Sequence, residues 1–241
     1  MIASLPMYDW PEIRAATDDL WRGIARHCAA HGLAAPENLT RGADHKAAWR
    51  EAGLFLSQTC GYPFTHEFKG RLALIGTPIY KAEGCAGPLY SSAIFTRCEN
   101  PRVAAMNDDD SMSGMLALRL AAGDFAQTRI TGGHIRSLEA LQKGEADICA
   151  IDAVCVALAR RHRPELFAGL RQVARSPLVP GLPFVTGLAR APELPALRMA
   201  VGAAFADPAL RACREALLLD GFALTSPSDY TVILELEGTL S

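Results

Sequence analysis

The sequence has no strong excess of either charge and no long apolar run. It carries 24 basic and 26 acidic residues among 241, a formal net charge of -2. Because no stretch is strongly basic, the sequence does not predict a nucleic-acid-binding protein. No apolar run approaches the roughly 20 residues that span a bilayer, so no membrane insertion is expected.

The first residues, MIASLPMYDWPE, lack the basic region and the long apolar region of a signal peptide. They are typical of a strand that leads into a helix. As written, the sequence predicts a cytoplasmic protein, and a periplasmic one if a leader was removed.

The seven cysteines show no C-x-x-C spacing. This excludes a zinc ribbon and a regular disulfide framework, and most of the cysteines are expected to be small buried hydrophobes. Cys60 and Cys85 differ, because each is next to a glycine. We favour a disulfide between them, or simple proximity, over a nucleophilic Cys60, since no Cys/His signature supplies a base. A disulfide would suit a reducing cytoplasm poorly.

No metal or cofactor site is predicted. His27 and His31 have a spacing that suits a metal ion, but both precede Gly32 in the last turn of a helix. Histidines at that position also match the helix dipole, and we favour this second interpretation.

Short apolar runs alternate with helical patterns along the chain, which predicts an α/β protein with mostly parallel sheets. Examples are the strand expected near residues 147–151 and the helix that follows it up to Pro164. The final segment, YTVILELEG, is predicted to be a closing strand. No internal repeat or low-complexity segment is present.

Two segments rich in proline and glycine, residues 82–92 and 175–183, bracket a middle section with its own strand–helix units. This predicts two domains. Lobe one would contain residues 1–92 and 181–241, and lobe two residues 93–180. Ligands of such proteins bind beyond the carboxyl ends of the strands, often in a cleft between domains.

Several predicted strands end in polar residues, which together favour a binding cleft. For any single residue, a turn after the strand explains the pattern equally well. From lobe one the candidate ligand-binding residues are Tyr8, Gln58, Thr59 and Tyr62; from lobe two they are Asn107, Ser111, Ser113, Gly114, His134 and Asp152.

The segment NDDDSMSG poses a specific problem, because three aspartates precede a helix start that resembles an anion site. The free amides and hydroxyls of residues 111–114 suit a phosphate-like or carboxylate oxygen. An ordinary N-cap formed by Asp110 or Ser111 is an equally good interpretation. If Asp110 forms the cap, its carboxylate takes the place of the anion.

Five segments together resemble a known family: SQTCGYPF, GTPIYKAEGCAGPLYSS, AAMNDDDSMSGMLALR, TGGHIRSLEALQKGEADICAID and PGLPFVTG. In order along nearly the whole chain, they resemble the phosphate/phosphonate-type substrate-binding proteins of ABC transporters. The resemblance implies a two-lobed type 2 periplasmic-binding-protein fold with two crossing connections. It also implies that Ser111, Ser113, Gly114 and His134 hold phosphonate oxygens.

The chain departs from that pattern at Met112, where phosphonate-binding relatives have threonine. No acidic residue matches the one that grips an amino group in aminophosphonate binders, although Asp152 offers a substitute. The resemblance implies a monomer without a cofactor that binds a small anionic ligand and has an ABC permease as its partner.

The expected function is therefore non-enzymatic binding of a small oxyanion-bearing ligand. The alternatives are a cytoplasmic ligand sensor and an enzyme of cofactor-precursor metabolism that uses Cys60 or His134.

Overall fold

A computed structural model describes residues 1–42 and 44–240. The strands, in chain order, are β1 (Ile2–Ser4), β2 (Leu54–Gln58), β3 (Leu72–Tyr80), β4 (Cys85–Ala86), β5 (Leu89–Tyr90), β6 (Ser92–Thr96), β7 (Val103–Met106), β8 (Gln127–Ile130), β9 (Ile148–Asp152), β10 (Arg171–Arg175), β11 (Val179–Pro180), β12 (Phe184–Gly187) and β13 (Leu219–Ala223).

The α-helices are α1 (Arg14–Ala30), α2 (His45–Arg50), α3 (Gly61–Thr65), α4 (Ala117–Ala122), α5 (His134–Gln142), α6 (Ala153–His162), α7 (Leu194–Ala206), α8 (Arg211–Ala216) and α9 (Thr231–Gly238). A π-helical turn, Met112–Leu116, leads directly into α4. None of the helices in the described ranges is long and apolar enough to cross a membrane.

The chain divides into two compact units. Unit one contains Met1–Lys81 and Pro180–Tyr230, and unit two contains Ala82–Val179 and Thr231–Ser241. The chain therefore passes between the units three times, once more than the two connections expected from the sequence.

Unit one is built on a five-stranded sheet in the order β1-β2-β12-β3-β13. β1 and β2 are parallel, whereas β12 is antiparallel to both of its neighbours and β13 is antiparallel to β3. α1 and α7 pack together beside this sheet. Trp21 of α1 and Val201 of α7 are both buried, and the Trp21 ring meets Phe55 of β2 edge-on at 6.2 Å between ring centres.

Unit two is built on a second five-stranded sheet in the order β10-β6-β9-β7-β8. β7 is parallel to β8 and β9, while β6 is antiparallel to both β9 and β10. Every residue of the central strand β9 is buried, which explains its almost continuous apolar sequence.

Two expectations are corrected by these elements. The predicted mostly parallel sheets are mixed, because strands from distant parts of the chain insert with opposite directions. The predicted closing strand is the helix α9, which follows a 3-10 turn at Pro227–Tyr230. A short apolar run does not distinguish a strand from a helix, and in α9 only Ile233 is buried.

Asp207 ties the loop after α7 to α1 within unit one. Its carboxylate accepts hydrogen bonds from His27 at 3.0 Å, from Arg26 at 2.6 Å and from the amide of Ala209 at 2.8 Å. These bonds, led by the one from His27, lower the pKa of Asp207 to about 2. The folded state therefore favours the carboxylate.

We expect Asp207→Asn to lower the melting temperature at neutral pH. A carboxyl group whose pKa is lowered in the folded state stabilises the folded protein at pH values above its pKa in the unfolded chain. That stabilisation disappears as the pH falls through about 2. The difference in melting temperature between wild type and variant, measured by scanning calorimetry, should therefore become smaller at lower pH. Asp220→Asn, at an exposed position in β13, is the control. A difference that stays constant with pH would contradict the assignment.

Candidate functional site

The carboxyl ends of three neighbouring parallel strands meet at one edge of the unit-two sheet. Asn107 follows β7, Thr131 follows β8 and Asp152 ends β9. Because these strands are parallel and adjacent, the loops that follow them share this edge. The described residues of unit two that were predicted to bind a ligand all lie on or after these three strands.

The helix after β7 is capped by Ser111 and not by Asp110. Ser111 has an extended backbone, is 3% exposed, and its Oγ accepts a hydrogen bond from the amide of Gly114 at 3.0 Å. This resolves the alternative left open by the sequence. The cap residue is therefore a serine, and its acceptor is a hydroxyl.

The first turn of this helix has π geometry. The amide of Leu116 donates to the carbonyl of Ser111 at 2.9 Å, five residues back instead of four, and the amide of Ala117 donates to Met112. One more N–H group than in an α-helical start therefore stands outside the helical ladder. Single π turns of this kind occur often at functional sites. The sequence pattern did not predict it.

Ser113 and His134 are brought together by the two helix starts. The Oγ of Ser113 lies 2.9 Å from Nε2 of His134 and 3.5 Å from Oγ of Ser111. His134 is the first residue of α5, and Ser113 is 5% exposed. The structure thus places Ser111, Ser113 and His134 in one hydrogen-bonded group.

His134 is neutral near physiological pH. Burial lowers its pKa to about 4, and the backbone of Ala150 on β9 opposes this shift. A carbonyl that accepts a hydrogen bond from a ring N–H raises the pKa of a histidine. Nδ1 is buried, and among the described residues it makes no hydrogen bond of good geometry.

Asn107 packs directly on Gly114. A Cβ atom added at Gly114 would lie only 1.6 Å from Oδ1 of Asn107 and 3.2 Å from its backbone nitrogen. A larger residue here would therefore require the Asn107 side chain or the helix start to move. The Oδ1 atom is buried and has no hydrogen-bond partner within the described ranges.

Thr131 was missed by the sequence analysis as a residue that positions His134. Its Oγ1 is 3.1 Å from the carbonyl of Met106, to which it donates, and 2.8 Å from Oγ of Ser137 in α5. These bonds fix the start of α5 to the end of β7. The segment TGGHIRS contains a signal for this role, because its threonine and its serine, six residues apart, lie on either side of the helix start.

Asp152 caps the helix α6. Its Oδ1 accepts from the amides of Val154 at 2.6 Å and Cys155 at 3.0 Å, and the residue is 1% exposed. This role accounts for one carboxylate oxygen. A contact of Asp152 with a ligand stays a prediction.

The three aspartates before the cap form a separate acidic cluster. One carboxylate oxygen each from Asp108, Asp109 and Asp110 lies within 4.8 Å of the others, a separation compatible with a cation. Asp109 is exposed and the other two are partly exposed. Exposed acidic groups commonly lie this close, and the carboxylates match the positive end of the helix dipole.

In unit one, Tyr8 and Gln58 meet at Tyr80. The amide of Gln58 donates to the hydroxyl of Tyr80 and to the carbonyl of Leu182, both at 3.1 Å. The rings of Tyr8 and Tyr80 contact edge to face at 5.3 Å. The three side chains line a cavity of about 30 Å³, and Tyr80 was not predicted.

Thr59 and Tyr62 lie on the segment that follows β2. Thr59 is buried and its hydroxyl donates to the carbonyl of Cys60 at 3.2 Å. The ring of Tyr62 stacks on His66 at 3.8 Å between ring centres. Neither of these contacts tests a ligand role, so both residues stay candidates.

Cys60 and Cys85 are both free cysteines in this structure, and the disulfide between them stays a prediction. Cys60 belongs to unit one and Cys85 to unit two. Burial, reinforced by the charge of Asp152, raises the pKa of Cys85 to about 12. Such a thiol is a poor nucleophile.

A pocket of about 240 Å³ in unit one was not predicted. Its charged lining includes Asp9, Arg14 and Arg41. Arg41 donates to Asp9 and also pairs with Asp18 at 2.7 Å, so its charge is largely compensated.

A family model described as the periplasmic phosphonate substrate-binding protein of an ABC transporter matches residues 98–230, more than half of the chain. The chain belongs to this family. Members are substrate-binding components of transporters, which agrees with the function expected from the sequence. No curated protein sequence matches the chain significantly.

Several solved structures share the fold of this chain. A protein of Xanthomonas citri solved with chloride matches with a TM-score of 0.75 at 15% identity, covering 100% of this chain and 96% of that one. A binding component of an ABC phosphonate transporter from Pseudomonas aeruginosa matches with a TM-score of 0.76 at 14% identity, covering 98% of this chain and 85% of that one. PhnD1 of Prochlorococcus marinus, in complex with methylphosphonate, matches with a TM-score of 0.71 at 12% identity, covering 99% of this chain and 97% of that one.

These likenesses show that this phosphonate-binding family member has the periplasmic-binding-protein fold. At such low identity they carry no statement about its ligand. The family match spans the helix start at Ser111, the turn before His134 and the strand β9.

Proposed function

We propose that this chain binds a phosphonate-like oxyanion at the helix start formed by residues 111–114, and that it delivers this ligand to an ABC permease. The observation that carries the proposal is the cap. Ser111 satisfies the amide of Gly114 with its own hydroxyl at 3.0 Å, which leaves the other first-turn amides for an anion.

The chemistry of the neighbouring groups supports an oxyanion. The π turn adds an N–H group to the first turn, and Ser113 places a hydroxyl beside it. The helix dipole adds partial positive charge at the same place. A tetrahedral oxyanion offers several acceptor oxygens and matches such a set of donors better than a neutral ligand does.

Two further elements of the proposal derive from the family. The partner is the membrane-spanning permease of an ABC transporter, and the compartment is the periplasm. No specific observation favours the sensor or the enzyme alternative.

The proposal is tested by binding-induced stabilisation and calorimetry. Methylphosphonate, phosphate, sulfate and acetate are added to the purified protein, and we expect methylphosphonate to raise the melting temperature. Because a hydrogen bond to a charged group contributes roughly 1.5–3 kcal/mol, Ser113→Ala should weaken methylphosphonate binding by about tenfold or more.

Ser226→Ala is the matched control, since Ser226 lies in an exposed loop of unit one and its hydroxyl bonds to Asp229. It should leave the affinity unchanged. If none of the four anions raises the melting temperature of the wild type at millimolar concentration, the proposed function is wrong.

A further inference from the structure

Asn107 lies between the two helix starts of the candidate site. It follows β7, and its backbone carbonyl accepts a hydrogen bond at 2.9 Å from the amide of Gly132, in the turn before α5. It also packs against Gly114, where an added Cβ would lie 1.6 Å from Oδ1 of Asn107 and 3.2 Å from its backbone nitrogen. The side chain is thus an immediate neighbour of the turn that is proposed to hold the anion.

The contact with Gly114 fixes which end of the Asn107 carboxamide faces the helix start. Glycine has a hydrogen where other residues have Cβ, so Oδ1 lies beside a Cα–H bond of Gly114, which acts as a weak donor. An NH2 group in that place would bring its own hydrogens against the same C–H bond. The oxygen is therefore the end of the carboxamide that faces Gly114.

The other end of the carboxamide carries two N–H donors. Because the group is planar, a fixed Oδ1 also fixes the direction of Nδ2. Oδ1 is buried, whereas Asn107 as a whole is partly exposed. In the part of the chain that the structure describes, Nδ2 donates to no acceptor and is not a buried atom, so its N–H groups are accessible beside the helix start.

We propose that Nδ2 of Asn107 donates a hydrogen bond to the bound oxyanion and makes this position specific for an acceptor oxygen. With Oδ1 held against Gly114, the side chain offers the ligand only donors. A deprotonated oxygen accepts such a bond, whereas an ammonium group has only donors and would be excluded. Asn107 thereby directs the anionic end of the ligand to the turn at residues 111–114. The inference rests on the proposed function, because it requires an anion there.

The variant Asn107→Asp tests the donor while it keeps the shape of the side chain. One carboxylate oxygen can keep the contact with Gly114, and the other replaces Nδ2 and faces the anion. At about pH 8 a phosphonate is mostly the dianion. We expect methylphosphonate affinity, measured there by calorimetry, to fall at least about 100-fold, because a donor becomes a negatively charged acceptor.

Two further variants calibrate this loss. Asn107→Ala removes the donor without adding a charge and should weaken methylphosphonate binding by about tenfold. Asn100→Asp is the matched control, because Asn100 is exposed at the opposite edge of the same sheet, between β6 and β7. It adds the same charge to unit two and should leave the affinity unchanged.

Rescue by acid separates an effect of charge from an effect of shape. A carboxylate that faces an anion has a raised pKa, so the introduced group takes up a proton in the complex as the pH falls, and it then donates again. The ratio of wild-type to Asn107→Asp affinity should therefore decrease by about tenfold or more between about pH 8 and pH 5. Asp108, His134 and Arg136 are the neighbouring charged or titratable groups on the same turn and on α5. They are present in both proteins, so their titration cancels in this ratio.

Nuclear magnetic resonance of the wild type tests the same contact without a variant. The side-chain NH2 group of Asn107 gives a pair of signals in a nitrogen–proton correlation spectrum. Methylphosphonate should shift this pair and leave the pair of Asn100 in place. If the Asn107 variants do not fold, this measurement decides.

Three results would overturn the inference and leave the proposed function intact. They are an affinity loss in Asn107→Asp that is the same at both pH values, wild-type affinity in both Asn107 variants, and an unshifted Asn107 pair while methylphosphonate binds. The first of these would show that Asn107 only positions Gly114. If the wild type binds no anion, the proposed function is wrong, and the inference with it.

Discussion

Gly114→Ala is expected to weaken anion binding and to destabilise the protein. The added methyl group would lie 1.6 Å from Oδ1 of Asn107, so either the Asn107 side chain or the helix start must move. Overpacking of this kind costs roughly 1–3 kcal/mol. Since the displaced turn also carries Ser111 and Ser113, methylphosphonate affinity should fall more than about tenfold, as measured by calorimetry.

Two further variants separate this clash from a general effect of losing a glycine. Gly202 lies within α7, and a Cβ there would have no neighbour within 4 Å. Gly202→Ala should therefore stabilise the protein by about 0.5–1 kcal/mol. Adding Asn107→Ala to Gly114→Ala removes the contact at 1.6 Å and should restore most of the stability. If Gly114→Ala alone is as stable as Gly202→Ala, the prediction that Asn107 leaves no room for a methyl group at position 114 is wrong.

The second large effect is expected at Asp152. Asp152→Ala removes a buried carboxylate oxygen that accepts from the amides of Val154 and Cys155. Losing a charged N-cap at a buried helix start should lower the free energy of unfolding by roughly 2 kcal/mol, as measured by urea denaturation. Asp152→Asn keeps an acceptor oxygen and should cost less than half as much.

Asp44→Ala is the control for the cap, because Asp44 accepts from the amide of Lys46 at an exposed helix start. It should cost less than about 1 kcal/mol. The Asp152→Asn variant also tests the predicted ligand role. A lower affinity for an aminoalkylphosphonate, with that for methylphosphonate unchanged, would support a contact with an amino group. If the variant binds both ligands with the affinity of the wild type, Asp152 acts only as a helix cap.

The local elements of unit two were well predicted from the sequence. The strand expected near residues 147–151 is β9, Ile148–Asp152, and the helix expected up to Pro164 is α6. Both predictions succeeded because a buried strand flanked by a capping aspartate has a strong local signal. The helix start at Ser111 was also predicted, although the sequence left open which residue forms the cap.

Other features depend on contacts between residues far apart in the chain, and the sequence did not predict them. β12 inserts between β2 and β3 with the opposite direction, so the unit-one sheet is mixed. The bond between Ser113 and His134 joins residues 21 positions apart. Tyr80 became part of the Tyr8 and Gln58 cluster only because β3 ends beside them.

The sequence by itself determined the α/β class and the serine–glycine helix start, because these follow from apolar spacing and from residue types at short range. Its resemblance to the phosphonate-type binding proteins indicated the family. The tertiary structure decided the direction of the strands, the assignment of the cap to Ser111, and the hydrogen bond that holds Ser113 to a neutral His134. These outcomes depend on burial and on long-range pairing. Burial lowers the pKa of the His134 imidazole, and this burial is not encoded within the segment GGHIRS alone.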